Sequence, residues 1–382
     1  MFYDQSQNNL DPGEGLDVGG VRADGIHKKP TAISLFSGGG GLDIGFHQAG
    51  YRTLACIEID EQACLTLKAN RERYFPNAEI INSDVSEVDV NDLMARNGLQ
   101  VGELDVLYGG PPCQSFSQIG KKDNLNDIRG RLLFAMVDYA RILEPKTILI
   151  ENVKALQSAP DLKGVRGGAL RQLREALEGL GYAVACRIIN SAEFGVAQLR
   201  QRIFIIATKG EPFSFPHADH EPSNFRTVGE AISGLPKPSA KGKAPRFANH
   251  IDVTPDGDKH RISFVSEGMF LAKMEDAPSE VKGRLTRKDT TKFLRLGRKK
   301  QSNTLRCGEI FFHPTQDRYL TPREYMRLHG FPDDYVLEGP IRGRSGSVKN
   351  LDQHRQIANS VPPPVARALA IELTKHLQEA VA

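Results

Sequence analysis

One cysteine of this chain stands where its surroundings suit a nucleophile. The apolar run 106-VLYG leads into 109-GGPPCQSF, so two prolines fix the backbone directly before Cys113. Residues 114–130 are polar and have glycine near either end, which is typical of a loop that closes over a site. A free cysteine is most often a small buried hydrophobe, so both interpretations stand on this residue alone. A thiol held at a strand end predicts nucleophilic catalysis.

An acid and a pair of arginines follow farther along the chain. Glu151 ends an apolar run, where partial burial raises the pKa of a carboxyl group and lets it donate a proton. Gln198, Arg200 and Arg202 occupy alternate positions, which predicts that they share one face of a strand. Two such arginines alone indicate a surface ladder. Beside a cysteine and an acid, they suit an anionic or carbonyl-bearing substrate.

Glycines and two further acids precede these residues and indicate a nucleoside pocket. The run 37-SGGGG-41 follows the first predicted strand and opens a helix, which lets a ligand approach the backbone closely. Its spacing gives neither GxGxxG nor a P-loop, so a pyrophosphate is disfavoured. Glu58 ends the second predicted strand and Asp84 the third, suiting ribose hydroxyls and an adenine amino group. Either acid alone is more often a solvated strand end, but the ordered set predicts S-adenosylmethionine.

The elements that must position these residues alternate between strands and helices. This alternation predicts an α/β fold with a doubly wound, mostly parallel sheet, in which ligands lie beyond the carboxyl ends of the strands. The predicted strands are 31–36, 53–59, 79–84, 104–109, 147–152, 182–190 and 202–208, and the helices between them include 43–50, 60–73, 131–143 and 168–181.

Composition divides the 382 residues into four parts. We predict a flexible tail at 1–29, a catalytic and cofactor-binding domain at 30–209, a smaller irregular lobe at 210–315, and a C-terminal segment at 316–382 whose helix returns to the catalytic domain. In the last segment, Thr321, Pro322 and Glu324 form the cap, first turn and capping box of a helix.

Charge and cysteine content restrict the class of protein. The net charge is +3, but residues 236–300 hold 16 Lys and Arg against 8 Asp and Glu. Such an excess suits a phosphate-binding surface, although a solvated face gives the same count. Five scattered cysteines without CxxC spacing argue against a disulfide framework and a zinc site. No signal pattern and no apolar run of about 18 residues occur, so we expect a cytoplasmic protein, with a monomer as the default.

Taken in order, the motifs resemble those of the C5-cytosine DNA methyltransferases of bacterial restriction-modification systems. The resemblance extends from Thr31 to about Leu369. The matching segments are 35-LFSGGGGLDIGFHQAG-50, 57-IEID-60, 83-SDVSEV-88, 109-GGPPCQSFS-117, 150-IENV-153, 198-QLRQR-202, 318-RYLTPREYMRLHGFP-332 and 356-QIANSVPPPVARAL-369. The family's usual GNSVP is 358-ANSVP-362 here, which puts only the local backbone geometry in question.

The resemblance implies an S-adenosylmethionine-dependent methyltransferase fold and a role for each catalytic residue. Cys113 would attack C6 of a cytosine as the thiolate, and Glu151 would hold the N3/N4 edge of the base and donate a proton. Arg202 would contact the carbonyl oxygen of the base, with Arg200 nearby. This chemistry requires a base flipped out of the duplex, at a cost of a few kcal/mol.

The resemblance also implies two sets of binding residues. Those for S-adenosylmethionine are Phe36, Ser37, Gly39, Gly41, Glu58, Ile59, Asp84, Val85, Pro112, Leu132, Asn359 and Ser360. Double-stranded DNA would be read by the lobe at 210–315, and the expected contacts are Ser117, Gln118, Gln198, Arg284, Arg287, Lys288, Arg295 and Arg298. A cognate restriction endonuclease would act separately on the same sequence.

Two rival functions remain open at this stage. An RNA cytosine methyltransferase shares the scaffold and the cysteine chemistry, but the basic segment and PPCQ favour duplex DNA. A catalytically silent DNA-binding relative has no need of Cys113, Glu151 and Arg202 together.

Overall fold

A computed structural model describes most of the chain. The described residues are 20–21, 27–112, 128–161, 163–283, 285, 291–342 and 350–379. Most of the predicted tail at 1–29 lies outside this part, but residues 20–21 and 27–28 form a small antiparallel ribbon that the sequence did not predict.

The strands account for all seven that the sequence predicts, with shifts of one or a few residues at their ends. They are β1 (Gly20–Val21), β2 (His27–Lys28), β3 (Thr31–Leu35), β4 (Arg52–Glu58), β5 (Glu79–Asn82), β6 (Val106–Gly109), β7 (Thr147–Val153), β8 (Tyr182–Asn190), β9 (Gln198–Leu199), β10 (Gln201–Lys209), β11 (Ser239–Ala240), β12 (Ile251–Asp252) and β13 (Ser302–Asn303).

The helices confirm the predicted alternation, with two differences. They are α1 (Gly41–Gln48), α2 (Glu61–Ala69), α3 (Arg71–Tyr74), α4 (Val90–Arg96), α5 (Ile128–Leu143), α6 (Gly168–Glu178), α7 (Val228–Ile232), α8 (Asp256–Ser263), α9 (Ser279–Lys282), α10 (Pro322–His329), α11 (Gln353–Asn359) and α12 (Pro363–Glu379). The predicted helix 60–73 is divided at Asn70, whose amide donates to the carbonyl oxygens of Thr66 and Val336. Helix α4 was not predicted, although Asp89 caps its first turn.

The central sheet has seven strands in the order β5-β4-β3-β6-β7-β10-β8. Strands β3 to β7 pair in parallel, and β10 is antiparallel to both β7 and β8. The predicted doubly wound, mostly parallel α/β sheet is therefore confirmed. Because strand order reverses between β3 and β6, the crevice at their carboxyl ends is the place where such a sheet binds ligands.

The direction of β10 determines which side chains meet at that crevice. Arg202, near the start of β10, pairs in register with Val153 at the end of β7. An antiparallel strand begins where its neighbour ends, so the arginines preceding and opening β10 reach the carboxyl edge of the sheet.

Helix α12 packs against α1 and the central sheet. Phe46 of α1 and Leu369 and Leu373 of α12 belong to one buried cluster with sheet residues. The helices approach so closely that a Cβ atom on Gly45 would stand 2.4 Å from the Cβ of Ala366. The irregular lobe predicted at 210–315, called the basic lobe below, has a separate small core that includes Ile262, Leu271 and Phe312.

Helix α10 begins with the predicted capping box, buried within a larger polar cluster. The backbone N–H of Thr321 donates to Glu324 Oε2 at 2.8 Å, and Arg318 donates to both carboxylate oxygens at 2.8 and 2.7 Å. Arg318 and Glu324 are 5% and 2% exposed. Burial alone would raise the pKa of Glu324, but the hydrogen bonds and charge of Arg318 outweigh it and lower that pKa.

Within the part of the chain that is described, no helix combines the length and apolar character needed to cross a bilayer.

We predict that Glu324→Gln lowers the free energy of unfolding by about 3 kcal/mol at pH 7, because it leaves Arg318 buried without its counter-charge. Since the folded-state pKa of Glu324 is lowered, the wild type has this stabilisation above the unfolded pKa and loses it as pH falls through the folded value. Urea unfolding at pH 7 and below pH ~4 would show the gap closing in acid. The matched Glu372→Gln variant, which breaks an exposed pair with Lys375, should change stability by about 0.5 kcal/mol or less. Equal effects of the two variants would contradict the assignment.

Candidate active site

A cavity of about 360 Å³ lies at the carboxyl edge of the sheet, where the strand order reverses. Its volume is within the range of about 300–1,000 Å³ that is common for small-molecule sites. Residues that follow β3 and β6 and the last residues of β4 and β7 line it, together with residues of α11 and the segment after it. The cavity therefore draws its walls from segments that are far apart in sequence.

The glycine loop after β3 forms one wall. Phe36 adopts a φ of 56°, which is uncommon for a bulky residue, and Gly38 follows at 54°. The N–H of Gly38 donates to Glu58 Oε2 at 2.8 Å, and the Ser37 hydroxyl donates to Ser34 Oγ at 2.8 Å. The loop is thus fixed to β4 through Glu58.

Three glycines of this loop serve packing within the protein, which revises the expected close approach of a ligand. A Cβ atom on Gly40 would stand 2.4 Å from the Tyr335 hydroxyl, and one on Gly41 would stand 2.1 Å from the Val361 carbonyl oxygen. A Cβ on Gly39 would stand 3.2 Å from Ser360 Oγ. The absence of side chains here lets residues 335 and 356–361 close against the loop.

Glu58 lines the cavity, and each of its two carboxylate oxygens accepts one backbone N–H. Its Oε1 accepts from the N–H of Asp60 at 2.8 Å, while Oε2 accepts from Gly38. Burial raises the pKa of this carboxyl group, although those two N–H donors offset part of the effect. Each carboxylate oxygen retains a second lone pair, so Glu58 can still accept from a ligand hydroxyl.

The buried Glu151 and the half-buried Arg202 form an ion pair that also lines the cavity. Glu151 Oε1 stands 3.1 Å from Arg202 Nε, close enough for an ion pair but without the alignment of a hydrogen bond. Burial raises the pKa of Glu151, and the charges of Arg202 and Arg200 act against that rise. A carboxyl group whose pKa is raised is better able to donate a proton than an exposed one.

Arg200 is enclosed beneath this pair. It is 1% exposed and donates from Nη2 to the carbonyl oxygen of Ser360 at 3.0 Å. Burial and the charge of Arg202 lower the pKa of Arg200 to about 9. Its Nε and Nη1 atoms are buried with no hydrogen-bond partner among the described residues, and such atoms beside a cavity are a sign of a missing partner.

The loop that leads to Cys113 is held from the β7 side. Asn152 donates from its side chain to the carbonyl oxygen of Pro111 at 3.1 Å, and Pro112 lines the cavity. A Cβ atom on Gly110 would stand 3.3 Å from Glu151 Oε2, so the glycine keeps that oxygen accessible. Cys113 itself lies outside the described residues, and its predicted role stays a prediction.

Most of the predicted cofactor residues converge on the cavity. Eight of them line it, namely Phe36, Ser37, Gly41, Glu58, Ile59, Pro112, Asn359 and Ser360. Gly39, within the glycine loop, packs against Ser360 and Gln356, and Leu132 packs against the hydrophobic core. Val85 is buried in that core, and Asp84 caps a short turn by accepting from Ser86 at 2.9 Å. The adenine contact expected of Asp84 therefore stays a prediction.

The predicted DNA contacts divide into three groups. Ser117, Gln118, Arg284, Arg287 and Lys288 lie outside the described residues. Arg298 is exposed at the surface and pairs with Glu267 at 3.1 Å. Gln198 and Arg295 lie in the protein interior.

The burial of Gln198 and Arg295 contradicts their predicted contacts with DNA. Gln198 is fully buried, and its side chain bonds to His329 at 2.8 Å and to the N–H of Leu305 at 3.0 Å. The strand, not the polypeptide, is interrupted at Arg200 between β9 and β10. Gln198 therefore does not line the cavity together with the arginines. Arg295 is 7% exposed and bonds to Asp317 and to the carbonyl oxygen of Ile262.

Sequence reasoning missed several residues that shape the site. Asn152 lies in the motif 150-IENV-153 and Gly110 in 109-GGPPCQSFS-117, so the motifs themselves were a signal for both residues. Leu351 and Arg355 also line the cavity, but no sequence signal places them there because they depend on the fold of the C-terminal segment.

Comparison with known sequences gives a consistent set of relatives. A model for C-5 cytosine-specific DNA methylases matches residues 31–375. The type II methyltransferase M1.HphI of Haemophilus parahaemolyticus is 34% identical over 351 residues, which are 90% of this chain and 87% of that protein. The type II methyltransferase M.NgoFVII of Neisseria gonorrhoeae is 31% identical over 349 residues, covering 88% and 84%.

Solved structures agree in fold. A candidate DNA modification methyltransferase encoded within an E. coli prophage has a TM-score of 0.69 and 22% identity, covering 92% of this chain and all of that one. The S. pombe Dnmt2 methyltransferase has a TM-score of 0.58 and 18% identity, covering 91% and 99%. At these identities the likeness concerns the fold alone.

We predict that Gly41→Ala separates the glycine loop from residues 360–361 and destabilises the protein by about 1–3 kcal/mol, because backbone atoms oppose the new methyl group. The same variant should bind S-adenosylmethionine at least about tenfold more weakly, measured by calorimetry, if the loop is a cavity wall. Gly257→Ala is the matched control, since nothing lies within 4 Å of a Cβ there and the residue is in a helix. A Gly41→Ala protein with unchanged stability and binding would contradict this role for the loop.

Proposed function

The chain belongs to the C-5 cytosine-specific DNA methylases, and we propose that it transfers a methyl group from S-adenosylmethionine to C5 of a flipped-out cytosine within one duplex sequence. The observation that supports this most directly is the pair of the buried Glu151 with Arg202 in a cavity shared with the glycine loop and with Pro112. A carboxyl group and a guanidinium side by side complement the N3/N4 edge and the adjacent carbonyl of cytosine.

The cavity residues fit S-adenosylmethionine. Glu58 keeps acceptor capacity for ribose hydroxyls, and Phe36 offers an aromatic surface at the same wall. Asn359 and Ser360 border the cavity from the C-terminal side. When bound, this cofactor supplies an electrophilic methyl group. The chain's part is to hold that group next to the base and to keep bulk water out.

The chemistry that we propose assigns one step to each residue. Cys113 adds as the thiolate to C6 of the cytosine, while Glu151 holds the N3/N4 edge and supplies a proton that offsets the charge developing on the ring. C5 then takes the methyl group, a base removes the C5 proton, and the thiolate leaves C6 by elimination. Arg202 binds the base carbonyl and keeps Glu151 oriented.

The basic lobe is the part that we propose reads the DNA sequence. Residues 236–300 carry 16 Lys and Arg, and Lys292, Arg298, Lys299 and Lys300 are exposed. Exposed cations of this kind neutralise phosphates, whereas side chains that reach base edges provide specificity. We propose the division into a sheet domain at 30–209, this lobe at 210–315 and a returning C-terminal segment at 316–382.

The relatives extend the proposal to a biological setting. M1.HphI and M.NgoFVII are type II methyltransferases, and we propose that this chain likewise modifies DNA against a restriction endonuclease that acts separately on the same sequence. One flipped base needs one active site, so we propose a monomer in the cytoplasm. Family membership does not favour an RNA substrate, and the intact Glu151–Arg202 pair does not favour a silent relative.

We predict that cells expressing the wild type carry 5-methylcytosine at one recurring sequence, detected by bisulfite sequencing of their DNA. Cys113→Ser should lower methyl transfer in vitro by a factor on the order of 10³ or more, since it removes the nucleophile, while DNA binding persists. Cys186→Ser, a half-buried cysteine of β8, is the matched control and should keep activity. Wild-type methylation of tRNA but not duplex DNA, or full activity of Cys113→Ser, would overturn the proposal.

A further inference from the structure

Three residues from distant segments form a buried hydrogen-bonded chain behind the cavity. Gln198 Nε2 lies 2.8 Å from His329 Nδ1, and His329 Nε2 lies 2.9 Å from the carbonyl oxygen of Ser360. Gln198 and His329 are both fully buried. The three belong to β9, to the last residue of α10 and to the cap of α11.

The direction of these hydrogen bonds follows from a further hydrogen bond at the Gln198 end of the series. The N–H of Leu305 donates to Gln198 Oε1 at 3.0 Å, so the other amide atom of Gln198 is its donating nitrogen. His329 Nδ1 must then accept, and the ring proton is on Nε2, which donates to Ser360. A doubly protonated ring would direct an N–H at the amide of Gln198. Burial, assisted by the charge of Arg200, lowers the pKa of His329 and keeps the ring neutral.

The Ser360 carbonyl oxygen that accepts this hydrogen bond also contacts an arginine of the site. It accepts a second hydrogen bond, from Arg200 Nη2 at 3.0 Å. Ser360 lines the cavity, and its side chain lies against the glycine loop, where a Cβ atom on Gly41 would stand 2.9 Å from Ser360 Cβ. One carbonyl oxygen therefore fixes the cavity wall and the guanidinium beneath Glu151 together.

We propose that His329, as its neutral Nε2–H form, is a positioning residue that sets the Ser360 carbonyl and, through it, both the cofactor wall and Arg200. The proposal depends on the function proposed above and adds a residue that touches neither cofactor nor base. It also explains why Gln198 is buried, since its amide holds the imidazole in the required orientation. Any buried imidazole needs partners on both nitrogens; what points to positioning is that His329 donates to the same carbonyl oxygen that accepts from Arg200.

Two substitutions at this position separate positioning from packing. His329→Gln places an amide oxygen towards Gln198 and an amide nitrogen towards Ser360, so it can rebuild both hydrogen bonds. His329→Leu fills the volume without either bond. We expect His329→Leu to raise the dissociation constant for S-adenosylmethionine and to lower kcat, each about tenfold. His329→Gln should stay within about threefold of wild type for both quantities.

The control is a destabilised variant whose substitution lies outside the cavity. Leu173 is fully buried on α6 and does not line the cavity, so Leu173→Ala lowers stability without touching this chain of hydrogen bonds. Measured well below its melting temperature, it should keep wild-type affinity for S-adenosylmethionine. The KM for sheared phage λ DNA should change less than about threefold in all three variants, since none of them alters the exposed cations of the basic lobe that would bind phosphates.

The outcomes are distinct. The proposal is overturned if His329→Gln loses as much affinity as His329→Leu, or if His329→Leu and Leu173→Ala behave alike. If His329→Leu does not fold, Gln198→Leu breaks the same chain at its other end and must show the same loss of affinity. A wild type that binds no S-adenosylmethionine would overturn the proposed function itself, whereas normal wild-type binding with an unaffected His329→Leu overturns only the positioning role.

Discussion

The contact between the buried Glu151 and Arg202 is the interaction on which the site depends, and it exists because one strand runs against its neighbours. Had β10 been parallel to β7, Arg202 would begin at the opposite edge of the sheet, far from the end of β7. The antiparallel direction instead places a guanidinium 3.1 Å from a carboxyl group whose pKa burial raises, and the charge of that guanidinium acts against the rise. The two effects oppose each other, and the resulting carboxyl group can serve as an acid.

The C-terminal segment completes what the sheet begins. The glycine loop after β3 has no side chains where Tyr335, Ser360 and Val361 pack against it, so the cavity closes only when residues 335 and 356–361 are in place. The carbonyl of Ser360 then joins this wall to Arg200 beneath the acid. Cofactor wall and base-binding edge are therefore parts of one hydrogen-bonded unit rather than two independent sites.

The sequence was enough to predict the strands, the capping box of α10 and the convergence of Glu58, Glu151 and Arg202. The spacing of hydrophobic residues and the position of each strand end depend on nearby residues only. It did not reveal that β10 is antiparallel, since direction depends on how the chain crosses the sheet. Gln198 was assigned to the wrong face because alternation assumes one unbroken strand, and the strand breaks at Arg200. Arg295 looked like a phosphate ligand, but Asp317 and a buried carbonyl bind it within the lobe core. The residues next to Arg295 in the sequence do not indicate these partners, which lie elsewhere in the chain.

The most direct test of the account is the intact mass of the protein after incubation with duplex DNA that contains 5-fluorocytosine at the mapped target, in the presence of S-adenosylmethionine. The C5 fluorine cannot leave as a proton does, so the account predicts a stable covalent complex of one chain per target, mapped by peptide mass to Cys113. Replacing Glu151 with Gln should slow its formation by a factor on the order of 10² or more. The absence of any adduct, or its location on the exposed Cys307, would contradict the account.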